Sequence, residues 1–233
     1  MTISLDQWTP RRAPTNAPMD GRFVSLVPWT SDAHAEPLWI EFGGPGTTAH
    51  LHHFGWGTVA SPERLAVILD DLNARDEFRT CVFTTSDGRP VGMASYMRWD
   101  LENGSAETGA VAMGRSIART PAATEGHFLM ARRVFDELGY RRYEWKLNDP
   151  NVASHRAAQR MGFSFEGVFR QHQVKSYGNR DTAWYSMLDR EWPARKAAFE
   201  AWLAPANFDA DGAQKRSLRE WVEQFADGPP RRP

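Results

Sequence analysis

The segment Arg119-Thr120-Pro121-Ala122-Ala123-Thr124-Glu125 joins a strand-like run to a helix-like one, and it is where this sequence is best suited to hold an anion. The first amide hydrogens of a helix lack partners within it, and the helix dipole adds partial positive charge at that end. Small side chains at Ala122 and Ala123 let a phosphate approach the main chain, and Arg119 adds a full charge beside it. Pro121 removes one donor, because proline has no N–H. The same junction also reads as a plain capped helix.

Other reactive side chains have quieter readings. His50, His52 and His53 have the residue type of metal ligands, but no Cys or acid stands near them, so they read as loop histidines. Cys81 lies in the apolar run Cys81-Val82-Phe83 and reads as an inert strand residue; as the single cysteine it forms no internal disulfide, which suits a reducing compartment. Arg180-Asp181 reads as a local ion pair. Arg132-Arg133 and Arg141-Arg142 read as a solvated helix end, with the alternative of meeting a ligand phosphate.

The elements that must position these groups follow from periodicity. Phe23 to Pro28 alternates as a strand, and Asp32 to Phe42 reads as a helix capped by Ser31 or Asp32. Gly43 to Gly57 reads as a loop. Ser61-Pro62-Glu63 opens a helix with Leu65, Ile68, Leu69 and Leu72 on one face. Strand-like runs Thr80–Thr84, Pro90–Met97 and Ala106–Met113 are joined through turns at Ser86-Asp87-Gly88 and Glu102-Asn103-Gly104. A helix from Ala122 to Leu138 stops at Gly139; then come a strand at Arg142–Leu147, a helix at Val152–Met161, and strands at Phe163–His172 and Asp181–Leu188. The order predicts an α+β fold with a mixed, mostly antiparallel sheet and one βαβ crossover. Residues 1–20 read as an irregular arm, 21–190 as the main domain and 191–233 as a helical extension, with helices at Trp192–Leu203 and Ser217–Phe225 and fraying at Pro229–Pro233. The extension is free to cover a sheet edge or to form a homodimer contact.

Composition narrows the function. With 41% apolar and 24% charged residues, the 233-residue chain is of ordinary globular type, and a net charge of −1 gives no sign of a nucleic-acid or membrane-surface partner. No segment approaches the roughly 18 apolar residues of a membrane span, and the N-terminus lacks the apolar stretch of a signal peptide, so the reading is cytoplasmic.

From Arg22 to Leu188 the pattern resembles the GNAT superfamily, its RimJ/RimL-type members in particular. The family's loop pattern is Gln/Arg-x-x-Gly-x-Gly/Ala, followed in this branch by Thr-Glu-Ala. Ala123, Thr124 and Glu125 match it, while Ala118 stands at the Gln/Arg position and Pro121 at the first Gly. Asn151-Val152-Ala153-Ser154 before Gly162-Phe163 matches a second family segment.

The resemblance implies the GNAT fold and N-acyl transfer from acetyl-CoA to a primary amine, on a protein N-terminus or a small molecule, with no metal. It implies a cofactor site at Val111, Met113, Arg119, Thr120, Ala122, Ala123, Thr124, Asn151 and Ser154. It places the thioester carbonyl near the Val111 and Met113 amides, as in an oxyanion site. Glu107 stands where related enzymes carry an acid, as general base; the alternative is a strand carboxylate facing solvent or pairing with an Arg. The tyrosine that many members place seven residues after the Asn is Ala158 here, which leaves Ser154 to contact the thiol sulfur or to cap a helix. Phe54 and Trp56 line the acceptor pocket or pack on the surface. Two other uses stay open: a longer donor such as succinyl-CoA, and a non-catalytic CoA-binding module.

Overall fold

The computed structural model describes residues 5–226 of the chain; the expected fraying at Pro229–Pro233 lies outside them. Eight strands form one sheet: β1 (Met19–Asp20), β2 (Ser25–Pro28), β3 (Phe78–Thr84), β4 (Pro90–Asp100), β5 (Ser105–Met113), β6 (Arg142–Asn148), β7 (Ser164–Lys175) and β8 (Gly178–Leu188). Their spatial order is β1-β2-β3-β4-β5-β6-β8-β7. Every pairing is antiparallel except β5 with β6, which the crossover helix α4 (Pro121–Arg132) joins. This is the α+β architecture that the order of elements predicts.

Both faces of the sheet are covered. Along β3, Cys81 and Phe83 enter one apolar cluster and Val82 the other, as a period of two requires, so the strand reads as a continuous apolar run. Helices α1 (Ser31–Glu41) and α3 (Pro62–Asn73) bury Leu38, Leu65 and Leu69 with Val82 and Met93. On the opposite face, α4 buries Phe128, Leu129 and Met130. It crosses β3 so closely that a Cβ on Gly126 would lie 2.1 Å from the Phe83 ring. Helix α5 (Val152–Arg160) packs beside β6 and β7 and adds Ala158 to this cluster. The C-terminal helices α6 (Trp192–Leu203) and α7 (Leu218–Ala226) bring Trp192, Phe199, Trp202 and Leu218 into it, and Phe199 stacks on Phe128.

Three local expectations change. The segment from Gly43 to Gly57 is a chain of short helical turns, Gly44–Gly46, α2 (Thr47–His50) and His52–Phe54, rather than an open loop. Four glycines with positive φ punctuate it: Gly43 at 113°, Gly44 at 58°, Gly55 at 70° and Gly57 at 73°. Helix α4 ends at Arg132, and Arg133–Glu137 continues as a π-helical turn before Gly139. Of the paired arginines, Arg141 is exposed and Arg132 half-buried in the last turn of α4, but Arg133 and Arg142 are not a solvated helix end. Arg133 is buried and donates to the carbonyls of Thr15, Ala17 and Pro18, while Arg142 sits on β6 and pairs with Glu144 and Glu166.

Those bonds show how the N-terminal arm is held. Its main chain also meets the Tyr140 hydroxyl, which donates to the Arg12 carbonyl, and the Arg11 amide donates to Leu101. Glu125, one residue into the family-like Thr-Glu pair, aims away from any ligand and accepts the amides of Arg22, Phe23 and Val24 at 2.8, 2.6 and 3.1 Å.

Candidate active site

Strands β5 and β6 run in parallel register only from Ser105↔Arg142 to Thr108↔Trp145. Beyond that point β5 stays with β4 and β6 stays with β8, so the two part and leave a groove. A bulge helps to force the parting. Gly109 and Ala112 face Ser95 and Met93, which sets two residues of β5 against one of β4, and Ala110 takes a left-handed φ of 48°. The edge of β5 from Gly109 to Met113 thus has no strand partner on its β6 side.

A cleft of about 730 Å³ occupies this splay. It brings together Glu107, Val111, Met113, Asn151 and Ser154, as the sequence reading required. Phe54 and Trp56, in contact with each other at 4.7 Å, form part of its wall. His53 and His50 also line it, and burial is the main cause that lowers the proton affinity of both below the ordinary histidine range. Among the described residues no group of three or more His, Cys, Asp or Glu side chains is arranged to hold a metal ion.

Asn151 settles one open alternative. Its side-chain oxygen accepts the Ser154 amide at 3.1 Å, so Asn151 caps α5, and Ser154 is not the cap. The Ser154 oxygen accepts the Trp145 indole N–H at 2.9 Å, which fixes the hydroxyl and leaves its own hydrogen to donate into the cleft. At the position seven residues after Asn151, Ala158 is fully buried.

Of the two readings that the sequence left open for Glu107, the structure shows the pairing with an Arg. Its carboxylate is 1% exposed and accepts Arg98 Nη2 and Nε at 2.9 Å each, with Lys146 Nζ at 3.1 Å. Three cationic N–H groups converge on it, two from Arg98, whose side chain is half exposed, and one from the largely buried Lys146. The carboxylate holds two cations at the cleft wall.

The residues expected to hold phosphates gather at the start of α4, beyond the C-terminal end of β5. Thr120 occupies the cap position with no side-chain cap bond, and Arg119 before it is exposed with a left-handed φ of 66°. Pro121 and Ala122 are half-buried and Ala123 is buried. The Thr124 hydroxyl is committed elsewhere: it accepts Arg160 Nη1 at 2.7 Å and bonds the Thr120 carbonyl. It ties α4 to α5 and is corrected from ligand contact to scaffold. The loop leading in is anchored by Glu41, whose carboxylate accepts the Ser116 amide at 2.8 Å and pairs with Arg89.

Several cleft residues escape the sequence reading. Arg98, Lys146, Lys175 and Arg180 come from β4, β6, β7 and β8, and nothing local marks them as neighbours. Asn148 is 7% exposed, and its side-chain oxygen is buried in the wall without a hydrogen-bond partner. Arg180 and Asp181 do not form the expected pair. Arg180 Nε donates to Thr182, while Asp181 accepts the Gln171 amide and the Asn179 side chain. Cys81 is fully buried, and burial pushes its thiol up to about 12, which leaves it inert.

Residues 24–164 match the family model described as "Acetyltransferase (GNAT) domain", more than half of the chain. The chain belongs to the GNAT acetyltransferase family. A GCN5-related N-acetyltransferase from Brucella melitensis superposes with a TM-score of 0.89 at 41% identity, covering 94% of this chain and all of that one. A probable acetyltransferase of the GNAT family from Chromobacterium violaceum gives 0.76 at 34% identity, over 83% of this chain and 97% of the other. An acetyl transferase from Salmonella typhimurium that modifies the N-terminal serine of ribosomal protein L7/L12 shares the fold with a TM-score of 0.62 at 16% identity, over 72% and 96%. No curated protein matches the chain. The parted strands and the crossover helix beside them are therefore those of a GNAT enzyme. Among the described residues no helix is long and apolar enough to cross a membrane.

Proposed function

We propose that this GNAT protein is an acetyl-CoA-dependent N-acetyltransferase of RimJ/RimL type, acting in the cytoplasm on the primary amine of a protein N-terminus or a small molecule by direct transfer. The observation that carries the reading is the unpaired β5 edge at Gly109–Met113, which opens on the cleft where β6 turns away. Such an edge offers main-chain donors and acceptors to an extended ligand, as in strand addition. The buried, partnerless oxygen of Asn148 fits the same reading, because an amide or amine N–H of a bound molecule would satisfy it.

When bound, acetyl-CoA supplies the activated acetyl thioester. Val111 and Met113 then present main-chain amides to the carbonyl, as an oxyanion site does. Arg119, Thr120, Ala122 and Ala123 hold the diphosphate with the free amides and positive end of α4. Ser154, steadied by Trp145, donates its hydroxyl hydrogen toward the departing sulfur, with Asn151 fixing the turn on which it sits. A thiol near pKa 8.5 leaves without a strong acid, so a hydroxyl suffices. With Glu107 engaged, the cationic wall takes over part of a base's work: positive charge beside the incoming ammonium favours its deprotonation. Holding both reactants in one cleft supplies much of the acceleration.

The experiment has two parts. Calorimetry should show acetyl-CoA binding, weakened by about 1–3 kcal/mol in Arg119→Ala, the scale of a charged hydrogen bond, with folding intact. A thiol-release assay over a panel of amines should then show turnover. Binding without release above the buffer rate for any amine would instead make this a CoA-binding module.

A further inference from the structure

We propose that the acceptor end of the cleft recognises an anionic group, a phosphate or carboxylate, carried by the amine substrate, through Lys175, Arg180 and Arg98. This rests on the acetyltransferase reading and adds the chemical class of its acceptor.

The first observation is a charge imbalance. Among the described residues Arg75, Arg98, Lys146, Lys175 and Arg180 line the cleft, and Glu107 is the one carboxylate that does. The protein as a whole carries a net charge of −1, so this is a local concentration and not a property of the surface. Glu107 is shared between Arg98 and Lys146, and Lys146 is further paired with Glu144. Lys175 has no carboxylate within 4.0 Å among the described residues, and Arg180 is engaged only through Nε on the Thr182 hydroxyl. Lys175 is half-buried, and its proton affinity is lowered first by burial and then by Arg180 and Arg98, which places the three cations in one another's field. Crowded like charges are unfavourable unless something of opposite sign joins them.

The second observation is that the arrangement is built. Arg98 lies at a register shift of β4 with a left-handed φ of 47°, a conformation that is unfavourable for a residue with a side chain and persists where surrounding contacts hold it. The buried Glu107 carboxylate supplies that hold through two bonds to Arg98. Lys175 lies with its alkyl stem along Gly55, where an added Cβ would meet Lys175 Cδ at 3.1 Å. A glycine is needed there for φ, and it also admits the lysine.

The third observation separates this end from the diphosphate. Met97 pairs with Glu107, so Arg98 stands at the N-terminal half of β5, whereas α4 begins beyond Met113. Six strand residues span about 20 Å. None of the residues from Arg119 to Thr124 lines the cleft. Arg98 therefore stands beside the stretch where β5 and β6 are still paired, away from the start of α4, with Lys175 in its field.

The test uses full-length protein with saturating acetyl-CoA, so that its phosphate sites are filled, and follows the phosphorus-NMR line width of inorganic phosphate. Binding that weakens at least tenfold in the double variant Lys175→Gln, Arg180→Gln, with acetyl-CoA affinity unchanged, supports the proposal. No line broadening in the wild type, or equal broadening in the variant, overturns it. A parallel calorimetric comparison of succinyl-CoA with acetyl-CoA distinguishes the source of the anion. Tighter binding of succinyl-CoA that the double variant abolishes would assign the cations to the donor and overturn the acceptor assignment. If acetyl-CoA itself fails to bind, the acetyltransferase reading falls, and the phosphate titration of the unliganded protein and its variant still judges the cations. Melting curves check that the variant is folded.

Discussion

Replacing Glu125 by Gln tests whether the acidic residue of the family-like loop serves the ligand or the scaffold. The carboxylate is 6% exposed and takes three main-chain amides, one on Oε1 and two on Oε2. Glutamine keeps a single acceptor oxygen. Its best orientation retains the Phe23 and Val24 amides as neutral bonds and sets an NH₂ donor against the Arg22 amide. A hydrogen bond to a charged group is worth about 1.5–3 kcal/mol and a neutral one about 1. Losing one and downgrading two gives a loss of about 2.5–7 kcal/mol, a large share of a typical 5–15 kcal/mol. With a urea m-value of about 3 kcal/mol/M, the unfolding midpoint should fall by about 1–2 M. Acetyl-CoA affinity, measured where the variant is folded, should change less than about twofold, because the Glu125 carboxylate is spent on the Arg22, Phe23 and Val24 amides. A midpoint within about 0.2 M of wild type, or a loss of affinity with stability preserved, would refute the scaffold assignment.

Three further expectations follow from the same packing. Ser154→Ala should lower kcat roughly tenfold, about 1.4 kcal/mol, with the KM for acetyl-CoA little changed; an unaltered kcat would remove the hydroxyl from the reaction. His127 is buried between Phe83 and Trp145, and burial pushes it down to about 4 from 6.5. Its folded pKa is depressed, so its neutral form costs nothing above pH 6.5, and stability should fall by up to about 3 kcal/mol as pH drops toward 4. His127→Phe should flatten that limb in urea titrations, and an identical pH profile would exclude His127 as the cause. Gly126→Ala gains up to about 1 kcal/mol of helix propensity, yet it drives a methyl into the fully buried Phe83 ring. Overpacking of about 1–3 kcal/mol should prevail, and a raised Tm would show that the contact yields.

The sequence was most legible where the chain's neighbours in space are also its neighbours in order. The hairpin β3–β4, the crossover β5-α4-β6 and the cap of α3 at Ser61 all depend on residues within a few positions of one another or on one period. The cleft positions Val111, Met113, Asn151 and Ser154 were legible because two strands and two helix starts flank them. For Glu107 the pairing with an Arg was one of two readings, but its partners were not legible, since Arg98 and Lys146 reach it from β4 and β6. Glu41 binds Ser116 from 75 residues away and Glu125 binds Arg22 from 103, and no local pattern announces such a partner. The turns between Gly43 and Gly57 were hidden by a composition rich in glycine and threonine, where contacts such as the Thr47 hydroxyl on the Trp39 carbonyl override weak propensity.

The strap formed by residues 8–20 also sets a timetable for synthesis. The Arg12 carbonyl waits for a hydroxyl 128 positions later, and the Thr15 and Ala17 carbonyls wait for Arg133. At a ribosomal pace of 5–20 residues per second, that is a delay of about 6 to 25 s. During it the carbonyls of Arg12, Thr15 and Ala17 lack these partners, so this part of the arm takes its final place only after Arg133 and Tyr140 have been added.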